Sequence, residues 1–187
     1  HTGQQLLKGL VLDAKPIIWT RVMLPFESTL TPGKMRLSAQ AAALEMIKSG
    51  TTGFIDAGSY HMKEAVKVYD KAGLRGTLSL STMDEKGLPE TIATTTEEAV
   101  ARADDFYEFC GEYKRLKSAY ALRSLISCSE SLICQITEHA DDRQALLQAH
   151  MNEYPGEVNF FLQHFKMRPY EYLDSLRVLS DRFIGAH

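Results

Sequence analysis

At 187 residues, with a net charge of −3 and 44% apolar residues, the chain has the length and balance of a globular sequence built around one core. No apolar run reaches the roughly 18 residues that span a bilayer, no basic stretch leads into an apolar leader, and the charges are mixed without a basic stripe; these features argue against a membrane or nucleic acid as partner and for a small molecule. Three cysteines, Cys110, Cys128 and Cys134, form no C-x-x-C pair, which argues against a disulfide framework or zinc knuckle and points to a reducing, cytoplasmic setting.

Two short helical patterns, 4–12 and 17–26, separated by Pro16, open the chain as a connecting or lid-like segment. Thr31-Pro32 then supplies a cap followed by proline at the first helical position, and Leu37, Ala41, Leu44 and Ile47 recur at helical spacing until Gly50. Residues 51–56 read as a strand with Ala57-Gly58-Ser59 as its loop, and a helix follows from Met62 to a left-handed cap at Gly73. Residues 74–80 form the next strand. A capping box, Thr94 with Glu97 or Thr95 with Glu98, opens a helix that runs to Cys110. Residues 116–122 are a strand ending on Arg123, and a second box, Ser127 with Glu130, starts a helix with Leu132, Ile133 and Ile136 on one face. After a strand over 145–150 come helices near 158–165 and from Pro169, then a last strand over 183–187.

Helices and strands alternate with each strand about 25 to 40 residues from the next, the spacing of βα units, so the fold class is α/β with a parallel sheet. Five strands fall short of the eight, in about 250 residues, of a closed (β/α)8 barrel. The length alone suits an open doubly wound sheet. A partial barrel is the better reading because no Gly-x-Gly-x-x-Gly turn follows the first strands, and because Asp56, Arg123, His150 and His187 stand at strand ends that a barrel brings to one face. The chain starts on His1 and stops on His187 directly after a strand-like run, so it is expected to be the central piece of a longer barrel, with flanking parts absent.

The stretch Ala145-Leu-Leu-Gln-Ala-His150-Met-Asn-Glu153 focuses the chemistry. A side chain just past the C-terminal end of a buried parallel strand sits where such sheets hold their sites. His150 is thus a candidate metal ligand and Glu153 a candidate proton carrier; the alternative is a strand-end histidine bonded to a carbonyl and a glutamate opening a solvated helix. His187 ends the following strand, so both imidazoles reach one side of a barrel, and His1 is a third. Zinc and similar divalent ions take neutral imidazoles at about 2.0–2.1 Å, lower the pKa of a bound water to about 7, and need a nearby carboxylate to carry the proton.

Several blocks, in order, resemble one family: His1-Thr-Gly-Gln-Gln-Leu-Leu-Lys-Gly9, Leu24-Pro-Phe-Glu27-Ser-Thr-Leu-Thr31, Ala43-Leu-Glu-Met-Ile-Lys-Ser-Gly-Thr-Thr-Gly-Phe-Ile-Asp56, Ala72-Gly-Leu-Arg-Gly76, Ser127-Cys-Ser-Glu130, Gln148-Ala-His150-Met-Asn-Glu153 and Ile184-Gly-Ala-His187. Together they resemble the amidohydrolase superfamily, in its cytosine-deaminase-like, or chlorohydrolase and aminohydrolase, group that includes guanine and S-adenosylhomocysteine deaminases. The resemblance implies about strands two to six of a (β/α)8 metal-dependent hydrolase barrel and one divalent metal, zinc first, with iron or manganese as alternatives. It implies His1 and His150 as metal ligands, Glu153 as the proton shuttle, and His187 as a catalytic contact to the activated water or the substrate. The family's first histidine would lie two positions before His1, and its eighth-strand aspartate beyond residue 187, so the chain by itself is expected to be inactive. The implied reaction is attack of metal-activated water on a ring carbon of a small N-heterocycle, with a cyclic-amide hydrolase or an inactive scaffold relative as alternatives.

Glu27 matches a substrate-contacting position in relatives acting on purine nucleosides, and Arg123 one that often carries a substrate-contacting histidine. Arg123 either orients an anionic group with its planar fork or pairs with a carboxylate at the barrel rim. Leu80 stands where the nucleoside relatives carry an arginine, which counts against an S-adenosylhomocysteine-like substrate. A homo-oligomer is expected of the intact protein.

Overall fold

The computed structural model describes residues 1–11 and 18–187. Six parallel strands, β1 (Phe54–Ser59), β2 (Gly76–Leu80), β3 (Leu116–Ser118), β4 (Tyr120–Leu122), β5 (Leu147–His150) and β6 (Phe183–Ala186), alternate with helices α1 (Leu24–Glu27), α2 (Pro32–Lys48), α3 (Met62–Lys71), α4 (Thr96–Gly111), α5 (Glu130–Asp142), α6 (Pro155–His164) and α7 (Pro169–Ser175). Pairing runs β1-β2-β3 and β4-β5-β6. The two sets are one curved arc: β3 and β4 are halves of a single chain run that changes partner at Ala119, whose N–H donates to Leu78 O at 2.8 Å, while Tyr120 N–H donates to Leu146 O at 2.9 Å.

Side chains of alternate parity divide the arc into two faces. Leu78, Leu116, Tyr120, Leu122, Leu147 and Ala149 point into cores shared with the helices. On the opposite face Gln148 of β5 donates to Asp56 O of β1 at 3.0 Å and to the Ser79 hydroxyl of β2. A β5 side chain that bonds β1 across the two intervening strand runs, β2 and β3–β4, means that the sheet curls inward, and the helix-facing residues all lie on its outer side. This is an arc of a (β/α)8 barrel and not an open sheet with helices on both faces.

Local signals act where they were expected at α2, where the Thr31 hydroxyl accepts Lys34 N–H at 3.3 Å, and at α4, where Thr95 and Glu98 form the reciprocal box. Several boundaries differ. The first helical pattern is a tight 3-10 turn, Thr2–Leu7, and Gly9 follows at φ +79°. The second is a wide π-helical turn, Trp19–Met23, that passes into α1; the break at Pro16 and the flanking residues 12–17 lie outside the described residues. The cap of α5 is Ser129, whose hydroxyl accepts Leu132 N–H at 3.1 Å, while Ser127 closes a short 3-10 turn. The expected loop Ala57-Gly58-Ser59 belongs to β1: Asp56 pairs with Leu78 and Ser59 with Leu80, so β1 holds one extra residue, a bulge in which Gly58 adopts φ +92°. No helix among the described residues is long and apolar enough to cross a membrane.

Candidate functional site

The bulge of β1 and the end of β5 bring two imidazoles face to face. His1 Nδ1 lies 2.9 Å from Gly58 O, and His150 Nδ1 lies 2.6 Å from Arg123 O. A carbonyl only accepts, so each Nδ1 carries the proton and each Nε2 presents a bare lone pair. The two Nε2 atoms stand 2.9 Å apart. Burial, then the charge of Arg123, pushes the His150 pKa down to about 4, which keeps its ring neutral at pH 7.

The rings stack with centroids 4.9 Å apart, and two neutral rings with their Nε2 atoms this close repel unless a cation is shared between them. The separation suits nitrogens that each bind one ion at about 2.0–2.1 Å, and Nδ1–H bonds to backbone carbonyls are the usual second-shell support of histidine ligands. The pair therefore fits a divalent metal. Among the described residues no group of three or more histidine, cysteine, aspartate or glutamate side chains gathers to hold an ion, so these two nitrogens are a partial ligand set.

The support of His1 extends through its neighbour. Asp56 Oδ2 accepts Thr2 N–H at 3.0 Å and also the Thr2 hydroxyl, and Asp56 Oδ1 accepts Gly58 N–H at 2.9 Å. Asp56, expected among the polar strand ends of the site face, is thus 4% exposed inside β1, where it fastens both the residue after His1 and, through its N–H, Gly58, whose carbonyl faces His1 Nδ1.

His187 and Glu153 share a cavity of about 150 Å³ with His1, His150, Arg123 and Trp19. The rings of His150 and His187 stack with centroids 5.7 Å apart. Glu153 is exposed, one residue past Asn152, whose φ of +56° turns the chain sharply after β5. The structure therefore brings together His1, His150, His187 and Glu153, with Arg123 in the same wall.

Glu27 and Arg123 hold each other. Arg123 Nη2 donates to Glu27 Oε1 at 2.8 Å and Nη1 to Oε2 at 3.1 Å, with the two side chains 2% and 0% exposed. Nη1 also donates to Gly58 O and to the Ser81 hydroxyl, each at 3.2 Å, and Gln4 Nε2 donates to Glu27 Oε1 at 2.6 Å. Of the two sequence readings of Arg123, the geometry is that of the arginine paired with a carboxylate. Glu27 also lines a larger cavity of about 660 Å³, together with Tyr60, His61, Ser81, Met83 and Arg102. The pair thus stands between two cavities, Arg123 in the wall of the smaller and Glu27 in that of the larger.

Sequence reasoning missed four residues of the small cavity, Gln4, Trp19, Met23 and Ser124. Gln4 carries no signal apart from lying near His1. Trp19 is the only tryptophan in the chain, and its indole N–H is buried without a hydrogen-bond partner in the cavity that holds the histidines. An amphipathic donor of this kind is detectable only once the fold has carried it there. Cys128 is buried, with its thiol pushed up to about 12 by burial, which is the wrong direction for a nucleophile.

The arc of parallel strands, with imidazoles gathered at its C-terminal rim, defines part of a (β/α)8 barrel. The chain belongs to the amidohydrolase family, whose sequence model matches residues 1–187. Among curated relatives it is 29% identical over 188 residues to the 5-methylthioadenosine/S-adenosylhomocysteine deaminase of Thermococcus kodakarensis, covering 100% of this chain and 43% of that protein. It is 30% identical over 190 residues to the 5'-deoxyadenosine deaminase of Methanopyrus kandleri, covering 100% and 42%. The chain thus spans less than half the length of these relatives. Among solved structures it superposes on an adenosine deaminase from Xanthomonas campestris with bound zinc at a TM-score of 0.89 and 23% identity, covering 100% of this chain and 42% of that one. A guanine deaminase from C. acetobutylicum with bound guanine gives 0.86 and 20%, covering 100% and 46%.

Proposed function

We propose that this chain contributes part of the active site of a metal-dependent deaminase, which removes an exocyclic amino group from a small N-heterocycle by hydrolysis. The observation that carries the reading is the pair of imidazoles whose Nδ1 atoms both face carbonyl oxygens and whose Nε2 atoms converge to 2.9 Å. Such a pair would hold one divalent ion, zinc in the first instance. When bound, the ion would supply a water acidic enough to react at neutral pH.

The chain's own residues account for the rest of the chemistry. His1 and His150 are fixed in orientation by Gly58 O and Arg123 O and do not need to reorganise. Glu153, on the same cavity, takes the proton of the attacking water and returns it to the nitrogen side of the substrate as the amino group leaves; an exposed carboxylate at the cavity can serve both transfers. His187 lines the wall beside His150 and contacts the attacking water or the ring. Trp19 offers an unpaired N–H to a substrate oxygen or nitrogen. The larger cavity beyond the Glu27–Arg123 pair has the room for the remainder of a nucleoside, and the names of the relatives point to an adenine nucleoside.

The test uses the intact, zinc-loaded protein with 5'-deoxyadenosine, adenosine and guanine as substrates. Ammonia release from at least one of them, abolished by Glu153→Gln with zinc retained, is the expected result. No ammonia from any of the three, together with a zinc content near zero, would sink the reading.

A further inference from the structure

Among the described residues, three glutamates reach back from the first turn of a helix to an N–H group ahead of it, and one of them does so differently. Glu98 of α4 accepts Thr95 N–H at 3.2 Å and Glu171 of α7 accepts Arg168 N–H at 2.7 Å. In both cases the receiving residue is the N-cap and the glutamate is exposed, as the ordinary capping arrangement allows. Glu157 holds the same third position in α6, but it is 2% exposed, and its Oε2 passes over the N-cap Tyr154 to accept Glu153 N–H at 3.0 Å. Its other oxygen, Oε1, is buried without a partner.

Capping alone explains neither feature. A surface glutamate caps α4 and α7 without the desolvation that burying a carboxyl with one bare oxygen requires. What Glu157 obtains from that position is a fixed main chain at Glu153. Asn152, immediately before it, sits at φ +56°, a conformation unfavourable for a residue with a side chain, and Tyr154 after it is fully extended. Between these two conformations the Glu153 N–H has the Glu157 carboxyl as its anchor.

We propose that Glu157 is a positioning residue for Glu153: through the Glu153 N–H it sets the tight turn after β5, and so the direction in which the Glu153 carboxylate meets the histidine cavity. This rests on the reading of Glu153 as the proton carrier, and it assigns Glu157 no contact with substrate. Reach, and not charge, is the property that matters, because the bond is to a backbone N–H.

Two variants separate reach from charge. Glu157→Gln keeps an oxygen at the same distance and discards the charge; Glu157→Asp keeps the charge and withdraws it by one methylene. In the intact, zinc-loaded protein, a misplacement of this size predicts that E157D lowers kcat about 10- to 100-fold, with KM, zinc content and melting midpoint near wild type, while E157Q stays within about threefold of wild type. Because Glu157 acts through Glu153, E153Q/E157D should be no slower than E153Q alone. Equal losses in E157Q and E157D, additive losses in the double variant, or an E157D protein that does not fold would each overturn the proposal; the last would make the residue structural first. An active E153Q variant would instead remove the parent reading, whereas an inactive E153Q beside a fully active E157D removes this inference alone.

Discussion

Asp56 illustrates how a residue that never meets the chemistry can govern it. Its carboxylate grips Thr2 and the Gly58 peptide, and these hold His1 from both sides. Asp56→Ala is expected to weaken zinc binding about 10- to 100-fold, the usual effect of removing an outer-shell partner, measured by competition with a chelator. The Glu27–Arg123 pair invites a different experiment. Removing either partner leaves a buried charge uncompensated, so Glu27→Leu or Arg123→Met alone should each lower stability by about 3–5 kcal/mol in urea denaturation, and the two together by much less than the sum. Glu157 adds a pH signature. Burial is the main cause that pushes its carboxyl up, so the folded chain holds its proton over a range where the unfolded chain, near the ordinary carboxylate value, has lost it. In that window the native state binds more protons, and stability falls as pH rises through it. Glu157→Gln, neutral throughout, should flatten that slope in urea midpoints measured from pH 4 to 7.

At the scale of elements, the bulge in β1 is where local sequence and tertiary need diverge. A Cβ at Gly58 would stand 2.7 Å from Ser79 O and 2.9 Å from Ser81 N, and φ is +92°. Gly58→Ala is expected to destabilise by about 1–3 kcal/mol from the backbone conformation alone, and to lower zinc content in the same preparation because the carbonyl that orients His1 must move. Read as sequence, Ala57-Gly58-Ser59 has the composition of a turn, and nothing local distinguishes a glycine that ends a strand from one that lets it bulge. The legible elements were those whose signal is local and chemical. Thr31-Pro32 caps α2, Thr95 and Glu98 box α4, and an apolar run ending in His150 marks β5. Ser127 and Ser129 compete as caps for the same helix, and only the packing of Asp84 against Ser129, whose N–H it accepts at 2.7 Å, decides between them. The histidines and Glu153 were legible because strand ends converge in a barrel. The partnership of Glu27 with Arg123, 96 residues apart, was not, since no periodicity encodes a contact between the short helix α1 and a distant strand end.

The whole molecule is an arc with two open sides. β1 and β6 each pair with one strand, and near the β1 side Ile55, Leu37, Leu44 and Ile47 are more than half exposed. Exposed apolar side chains beside an unpaired strand edge are a template for association. The 187-residue chain expressed alone should therefore elute from a sizing column as concentration-dependent oligomers or aggregate, and a sharp, concentration-independent monomer peak would contradict this. Arg123 leaves a further consequence for anyone reshaping this family. Its side chain shares the Gly58 carbonyl with His1, and its own carbonyl takes the proton of His150. One residue is thus shared by the buried ion pair and by the hydrogen bonds of both imidazoles. Grafting a new specificity onto this scaffold by exchanging Arg123 alone will disturb metal loading as well, and transplants between relatives should move Glu27, Gly58 and Arg123 as a single cassette.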